Sequence, residues 1–252
     1  KFNGTPSLPA TRVLAGALRP WFTMLALLVA AFYAGEAVWR ERDRKVADLI
    51  DATPTADVIF LATKVIAVLC AILVLGCACV AAAVGVQLAK GYFEPNPGQY
   101  LTLLIVPVLQ DVAFLAMLSI TAAALSPHRF VGWLASALAI GASITASVMG
   151  FSHPLFDFAA IPSAPLSEMN PQGYGGQARA WISLYWLLWC GLAAVVMWLF
   201  WPRGQRASIK AGLVRARILL RGPGGWIAGG LLTLTVAVGG WIFVNTVIWN
   251  PF

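Results

Sequence analysis

The stretch Arg40–Pro54 reads RERDRKVADLIDATP and lies between two apolar stretches, Pro20–Trp39 and Asp57–Leu88. Charged residues of both signs fill most of it. Each flanking stretch is long enough to cross a bilayer, which takes about 20 apolar residues. The chain therefore alternates between apolar spans and short polar connections, and this alternation decides the fold class.

The composition of the whole chain agrees with this pattern. Hydrophobic residues make up 60% of it and charged residues 11%, against about 25% charge in soluble domains. We predict an all-α integral membrane protein, a bundle of about six transmembrane helices in a single domain over residues 1–252. The predicted spans are Pro20–Trp39, Asp57–Leu88, Leu101–Leu125, Val131–Gly150, Ala180–Trp201 and Trp226–Trp249.

The distribution of Lys and Arg predicts the orientation, because cytoplasmic loops retain an excess of both. One set of alternate connections is the richer in positive charge; it holds Arg40, Arg42, Arg44, Lys45, Arg129, Arg203, Arg206, Lys210, Arg215, Arg217 and Arg221. The other set holds Lys1, Arg12, Arg19, Lys90 and Arg179. We expect the first set to be cytoplasmic and both ends of this segment to lie outside the cytoplasm.

The charged connection itself predicts a short amphipathic helix from Glu41 to about Thr53. Val46, Leu49, Ile50 and Thr53 recur at spacings of three and four, which places them on one face. Pro54 ends the pattern. One interpretation is a surface helix held by lipid headgroups, and the other is a coupling helix that carries motion from a cytoplasmic partner into the spans. The residues assigned to the coupling helix are Arg40, Arg42, Arg44, Val46, Leu49, Ile50 and Pro54.

Ionisable residues inside spans are costly and are candidates for function. Asp111 lies near the middle of the third span and follows Gln110; these two either line a path or bond to a neighbouring helix. Glu36 is expected to pair with Arg40 or with Lys64. Lys64 enters the second span from the same side, where its side chain can snorkel to the surface.

The other patterns favour packing over chemistry. A small-residue stripe in the fourth span predicts close helix contact; it consists of Ala135, Ala139, Ser143 and Ser147. The four cysteines lie within spans, and His153 with Asp157 is typical of a polar pair. We therefore expect no metal, no cofactor and no catalytic residue in this segment, and the lack of a basic stripe with stacking aromatics argues against nucleic-acid binding.

The charged connection also carries a family resemblance. The run GEAVWRERDRKVADLIDATP at 35–54, followed by a span that opens with Lys64, resembles the permease subunits of ABC transporters of the type-2 exporter class. The resemblance implies a coupling helix that contacts a cytoplasmic ABC ATPase subunit. It also implies a second permease half or a homodimer partner, and membrane lipids as surroundings.

A narrower resemblance is to bacterial permeases fused to a gluzincin-type zinc aminopeptidase. It rests on VGVQLAKGY at Val84–Tyr92, GFSHPLFDF at Gly150–Phe158, PLSEMNPQGYGG at Pro165–Gly176, LYW at Leu184–Trp186, WPRG at Trp201–Gly204 and GGWIFVNTVIWNPF at Gly239–Phe252. It implies the bacterial inner membrane. The segment contains no HExxH and no GxxxxGK[ST], so catalysis is expected outside it.

These observations predict a membrane-spanning permease subunit of an ABC-type exporter, which couples ATP hydrolysis on a partner to transport. The alternative is a structural or interaction subunit of a larger membrane complex. The chain starts at Lys1 rather than Met and ends directly after a span, so we expect it to be part of a longer polypeptide. The substrate, the transport direction and the oligomeric state do not follow from the sequence.

Overall fold

The computed structural model describes residues 10–46, 52–53, 55, 57–126, 128, 130–150, 153–155, 176–200 and 209–249. All regular secondary structure within these residues is helical. We number the helices α1 (Thr11–Asp43), α2 (Asp57–Ala89), α3 (Pro97–Leu125), α4 (Phe130–Val148), α5 (Gly176–Phe200), α6 (Ile209–Leu220) and α7 (Pro223–Trp249). The expected all-α class is confirmed.

Five of these helices are long and apolar enough to cross a membrane. They are α1, α2, α3, α5 and α7. The predicted span Val131–Gly150 corresponds to α4, which has 19 residues and is a shorter apolar helix over Phe130–Ala146. At 1.5 Å per residue α4 extends about 28 Å, close to the roughly 30 Å of a hydrocarbon core. Five of the six predicted spans thus coincide with long apolar helices.

The first helix begins more than two turns before its predicted start. The expected span began at Pro20, but α1 begins at Thr11 and contains Pro20 in its interior. A proline inside a helix removes one backbone hydrogen bond and does not force the helix to end. Arg12 and Arg19 therefore belong to α1 rather than to a connecting segment.

The centre of the bundle is α3, which contacts α1, α2, α4 and α5. More than half (56%) of the apolar window of α3 is buried, against 17–22% in the other four long helices. The face of α1 that meets this core has small residues spaced four apart: Ala26, Ala30 and Ala34 are fully buried. Small side chains at such spacing let two helices approach closely.

A second, smaller core joins α3 to α5 and α7. It consists of the buried residues Phe114, Ile182, Trp186, Val238 and Ile242. The Phe114 and Trp186 rings lie 6.5 Å apart, and the Trp181 and Trp241 rings lie 6.1 Å apart. Aromatic pairs at such separations add to the stability gained from buried area alone.

Two ends of the bundle can be distinguished by their contacts. The Lys64 end holds the end of α1 and the start of α2, with α6 between the end of α5 and the start of α7. The Arg19 end holds the start of α1, the end of α2 and the starts of α3 and α5. Hydrogen bonds among Thr11, Gln87 and Asn96 join the first three elements there.

Candidate functional site

An ion pair between a buried lysine and a half-buried glutamate joins α1 to α2 at the Lys64 end. Lys64 is only 5% exposed, and its Nζ lies 2.5 Å from Glu41 Oε1. The same Nζ donates a hydrogen bond of 3.2 Å to the carbonyl oxygen of Ala37. Lys is almost never fully buried without a partner, so these two contacts explain how the ammonium group is accommodated. They hold the last turns of α1 against the second turn of α2.

This geometry corrects two expectations. Lys64 does not snorkel to a surface, because its ammonium group turns toward α1 and is buried there. Its ionic partner is Glu41 and not Glu36, whose half-buried side chain lies more than a helical turn earlier on α1. The reason is the length of α1, which continues past the predicted end of the span and brings Glu41 level with Lys64.

The end of α1 is a Schellman turn. Lys45 has a left-handed backbone with φ of 55°, and the Val46 amide donates to the Glu41 carbonyl at 3.1 Å. A left-handed residue followed by this six-to-one hydrogen bond is the pattern that ends many helices. Glu41 therefore contributes twice, through its carbonyl to the turn and through its carboxylate to Lys64.

The predicted coupling helix is only partly described. Arg40 and Arg42 lie in the last turns of α1, Arg44 lies in the turn that follows, and Val46 comes after the helix has ended. A continuous helix from Glu41 to Thr53 is therefore wrong at its start, because the Lys45 turn interrupts it; Ala52 and Thr53 are not helical either. Leu49, Ile50 and Pro54 lie outside the described residues.

At the Arg19 end, a buried polar clamp fixes three helix termini. Gln87 is fully buried; its Nε2 donates to Thr11 Oγ1 at 3.2 Å and its Oε1 accepts from the Tyr100 hydroxyl at 3.0 Å. The Asn96 amide donates to the same Thr11 hydroxyl at 3.1 Å. The Gln87 backbone carbonyl also accepts the six-to-one hydrogen bond of a Schellman turn at Gly91, from the Tyr92 amide at 2.9 Å. The clamp is a satisfied network and stabilises this end of the bundle.

Asp111 and Gln110, the predicted path-lining pair, are half-buried on α3. The charge of Arg19 on α1 acts on the Asp111 carboxylate. Asp111 lies one helical turn beyond Pro107, which lines a cavity of about 260 Å³ at the Arg19 end. Asp111 therefore lies one helical turn below the cavity wall. That Asp111 and Gln110 line a transport path stays a prediction.

That cavity is lined by Arg12, Gly16, Arg19, Thr102, Leu103, Pro107 and Arg179. Three guanidinium groups from two helices share it. Sequence reasoning assigned all three arginines to outer connections and did not bring them together, because Arg179 is 160 positions from Arg19. A signal was present: Arg12 and Arg19 are spaced two helical turns apart, which places them on one face once α1 is known to begin at Thr11.

The predicted packing stripe of α4 lies beside a close contact with α3. Ala135, Ala139 and Ser143 are half-buried, and the Ser147 side chain lies outside the described residues. One turn away α4 meets α3 closely: the Gly132 carbonyl accepts from Ser119 Oγ at 3.2 Å and from Ser136 Oγ, on α4 itself, at 3.1 Å. Trp133 Nε1 donates to the Phe32 carbonyl on α1 at 3.2 Å.

His153 packs against the last turns of α7. Leu155 N donates to His153 Nδ1 at 3.3 Å, so Nε2 carries the proton and donates to Thr246 Oγ1 at 2.9 Å. The expected partner Asp157 lies outside the described residues. Within the described residues no group of three His, Cys, Asp or Glu side chains is arranged to hold a metal ion.

The five long apolar helices define the class, a multi-pass α-helical membrane protein. Compared with protein families, with curated proteins and with solved structures, the chain shows no significant match.

Proposed function

We propose that this chain is the membrane-spanning permease subunit of an ABC-type exporter in the bacterial inner membrane, driven by a cytoplasmic ATPase that meets the connection between α1 and α2. The observation that carries the proposal is the Lys64–Glu41 ion pair. It fastens the two helices to each other within a few residues of that connection.

The proposed coupling is mechanical. A force applied to the segment between Val46 and Asp57 reaches α1 through the Lys45 turn and α2 through its first turn. Because Lys64 bonds to both Glu41 and Ala37, the two helices respond as one unit at this end. Densely packed elements of this kind transmit small shifts instead of absorbing them.

The contact of α1 with α3 extends the same argument to the rest of the bundle. The Ala26, Ala30 and Ala34 side chains are fully buried, so α1 cannot tilt without displacing α3. Asp111 and the arginine-lined cavity lie at the opposite end of that contact. Coupling between a cytoplasmic ATPase and a path near Asp111 therefore has a continuous route through α1 and α3.

The proposal is tested by purifying the tagged chain from its native membranes in a mild detergent. We expect a second chain with a GxxxxGK[ST] phosphate loop to copurify with the wild type and with L49M/I50V. The pair L49D/I50D, which places charge on the apolar face predicted at these positions, should lose it while melting at the same temperature.

An assembly that contains no nucleotide-binding chain would favour the alternative, a structural or interaction subunit of a larger membrane complex. Retention of the ATPase by L49D/I50D, with normal stimulation of its turnover, would show that this connection is not the coupling element.

A further inference from the structure

The cavity at the Arg19 end brings together three positively charged side chains. Arg12, Arg19 and Arg179 line it, and no Asp or Glu is among the described residues that do so. Asp111 acts on Arg19 from one turn deeper, and the charged groups among the described lining residues are all positive. Like charges brought together in a partly desolvated space repel each other. An anion placed between Arg19 and Arg179 would lower the repulsion between these two groups.

The donors come from separate elements and converge. Arg12 and Arg19 project from one face of α1, and Arg179 projects from the first turn of α5. All three side chains are half-buried, so their positions are restricted by the surrounding helices. Guanidinium groups bind phosphate and carboxylate through paired N–H donors. Thr102 adds no donor, because its hydroxyl already bonds to the Gly98 carbonyl at 3.0 Å.

The remaining wall leaves room for a head group. Gly16 lies between the two arginines of α1, and a β-carbon added there would have no atom within 4 Å. Thr102 and Leu103 belong to a five-residue π-helical turn of α3, Leu101–Ile105, and such turns occur frequently at functional sites. With about 260 Å³, the cavity is smaller than a typical drug-sized pocket and suits a compact anion.

An exposed tryptophan beside the cavity favours a position at the level of lipid headgroups. Trp21 follows Arg19 by two residues and is 75% exposed, and Trp is enriched at membrane interfaces. We propose that this cavity binds a phosphate or carboxylate head group, held by Arg19 and Arg179 with Arg12 at its rim. The head group belongs to an anionic lipid or to a soluble anion. This assignment does not depend on the permease proposal.

The test is direct binding to the purified chain in an uncharged detergent. Native mass spectrometry measures retention of one dioleoyl phosphatidylglycerol molecule against dioleoyl phosphatidylcholine, and calorimetry measures inorganic phosphate. We expect the wild type to bind at least one of the two anions about tenfold more tightly than R19Q/R179Q does. Displacement of the lipid by millimolar phosphate identifies a soluble anion, and lack of displacement identifies the lipid.

Two matched controls separate a site from diffuse attraction. R217Q/R221Q removes the same number of charges from exposed positions near α6 and should bind like the wild type. G16L should fill the cavity and weaken binding as much as R19Q/R179Q does, whereas G85L, at an exposed helical glycine with equally open space, should not. Equal loss in R217Q/R221Q, unchanged binding in R19Q/R179Q, or binding of neither anion overturns the proposal.

Discussion

Lys64 Nζ on α2 lies 2.5 Å from Glu41 Oε1 on α1, and the two partners differ in exposure. The Lys64 side chain is 6% exposed and that of Glu41 is 33% exposed. The lysine therefore depends on the pair for its solvation, whereas the carboxylate retains contact with its surroundings. This difference in exposure decides how much each substitution in the ion pair lowers the stability of the protein.

Removing the Glu41 carboxylate should lower the free energy of unfolding more than removing the Lys64 ammonium group does. E41Q leaves a buried cation without its counter-ion and should lower the free energy of unfolding by about 3 kcal/mol. K64M leaves a carboxylate that can be solvated and should cost about 1 kcal/mol. The double variant E41Q/K64M should be more stable than E41Q. Thermal melting in detergent measures all three, and equal effects of the two single variants would contradict the asymmetry.

The two Schellman turns give opposite predictions for glycine. Lys45 adopts a left-handed backbone that favours glycine, so K45G should stabilise the protein by up to about 1 kcal/mol. Gly91 has φ of 78° at the corresponding place after α2, so G91A should destabilise it by about as much. The comparison of melting temperatures checks the pair. Destabilisation by K45G would show that the lysine side chain has a role of its own.

The contact between α3 and α4 can be tested with two glycines of one helix. In G132A the new β-carbon would lie 2.9 Å from the Ala123 β-carbon and 3.0 Å from the Ser119 carbonyl, so we expect a loss of about 1–3 kcal/mol. In G141A the β-carbon meets nothing within 4 Å, and helix propensity should give a gain of up to about 1 kcal/mol. If both variants shifted the melting temperature in the same direction, this packing would be contradicted.

The positive-inside prediction of orientation has a separate test. Thr53 and Glu94 are both exposed and lie at opposite ends of the bundle. In a variant whose native cysteines are replaced by alanine, we expect T53C to react with an impermeant maleimide only after the cells are opened. E94C should react in intact cells. The reverse pattern would place the Lys64 end outside.

The apolar spans were predictable because bilayer thickness demands runs of a fixed length, and composition shows such runs without knowledge of packing. The helix ends were less predictable. By local rules, Pro20 and the arginines before it indicate the start of a helix. Tertiary contacts nevertheless stabilise helical structure from Thr11 onward. The same extension explains why Glu41, and not Glu36, meets Lys64.

The arginine cavity could not be derived from the sequence, because it depends on how α5 packs against α1. Arg179 follows a long connection, and no local pattern places it beside Arg19. Hydrophobic periodicity predicts which face of each helix is buried, but it does not predict which helices pack against that face. Gly76 of α2 lies at such a contact, where an added β-carbon would be 2.6 Å from Ile105 Cδ1 on α3.

The central claim is that the connection between α1 and α2 meets a nucleotide-binding partner, and site-specific photo-cross-linking tests it most directly. Benzoylphenylalanine is placed at Ile50 and, as a control, at Phe93, which is 76% exposed at the opposite end. The account predicts that position 50 captures a chain with a phosphate loop in native membranes and that position 93 does not. Capture of no such chain from position 50, or of the same chain from both positions, would contradict it.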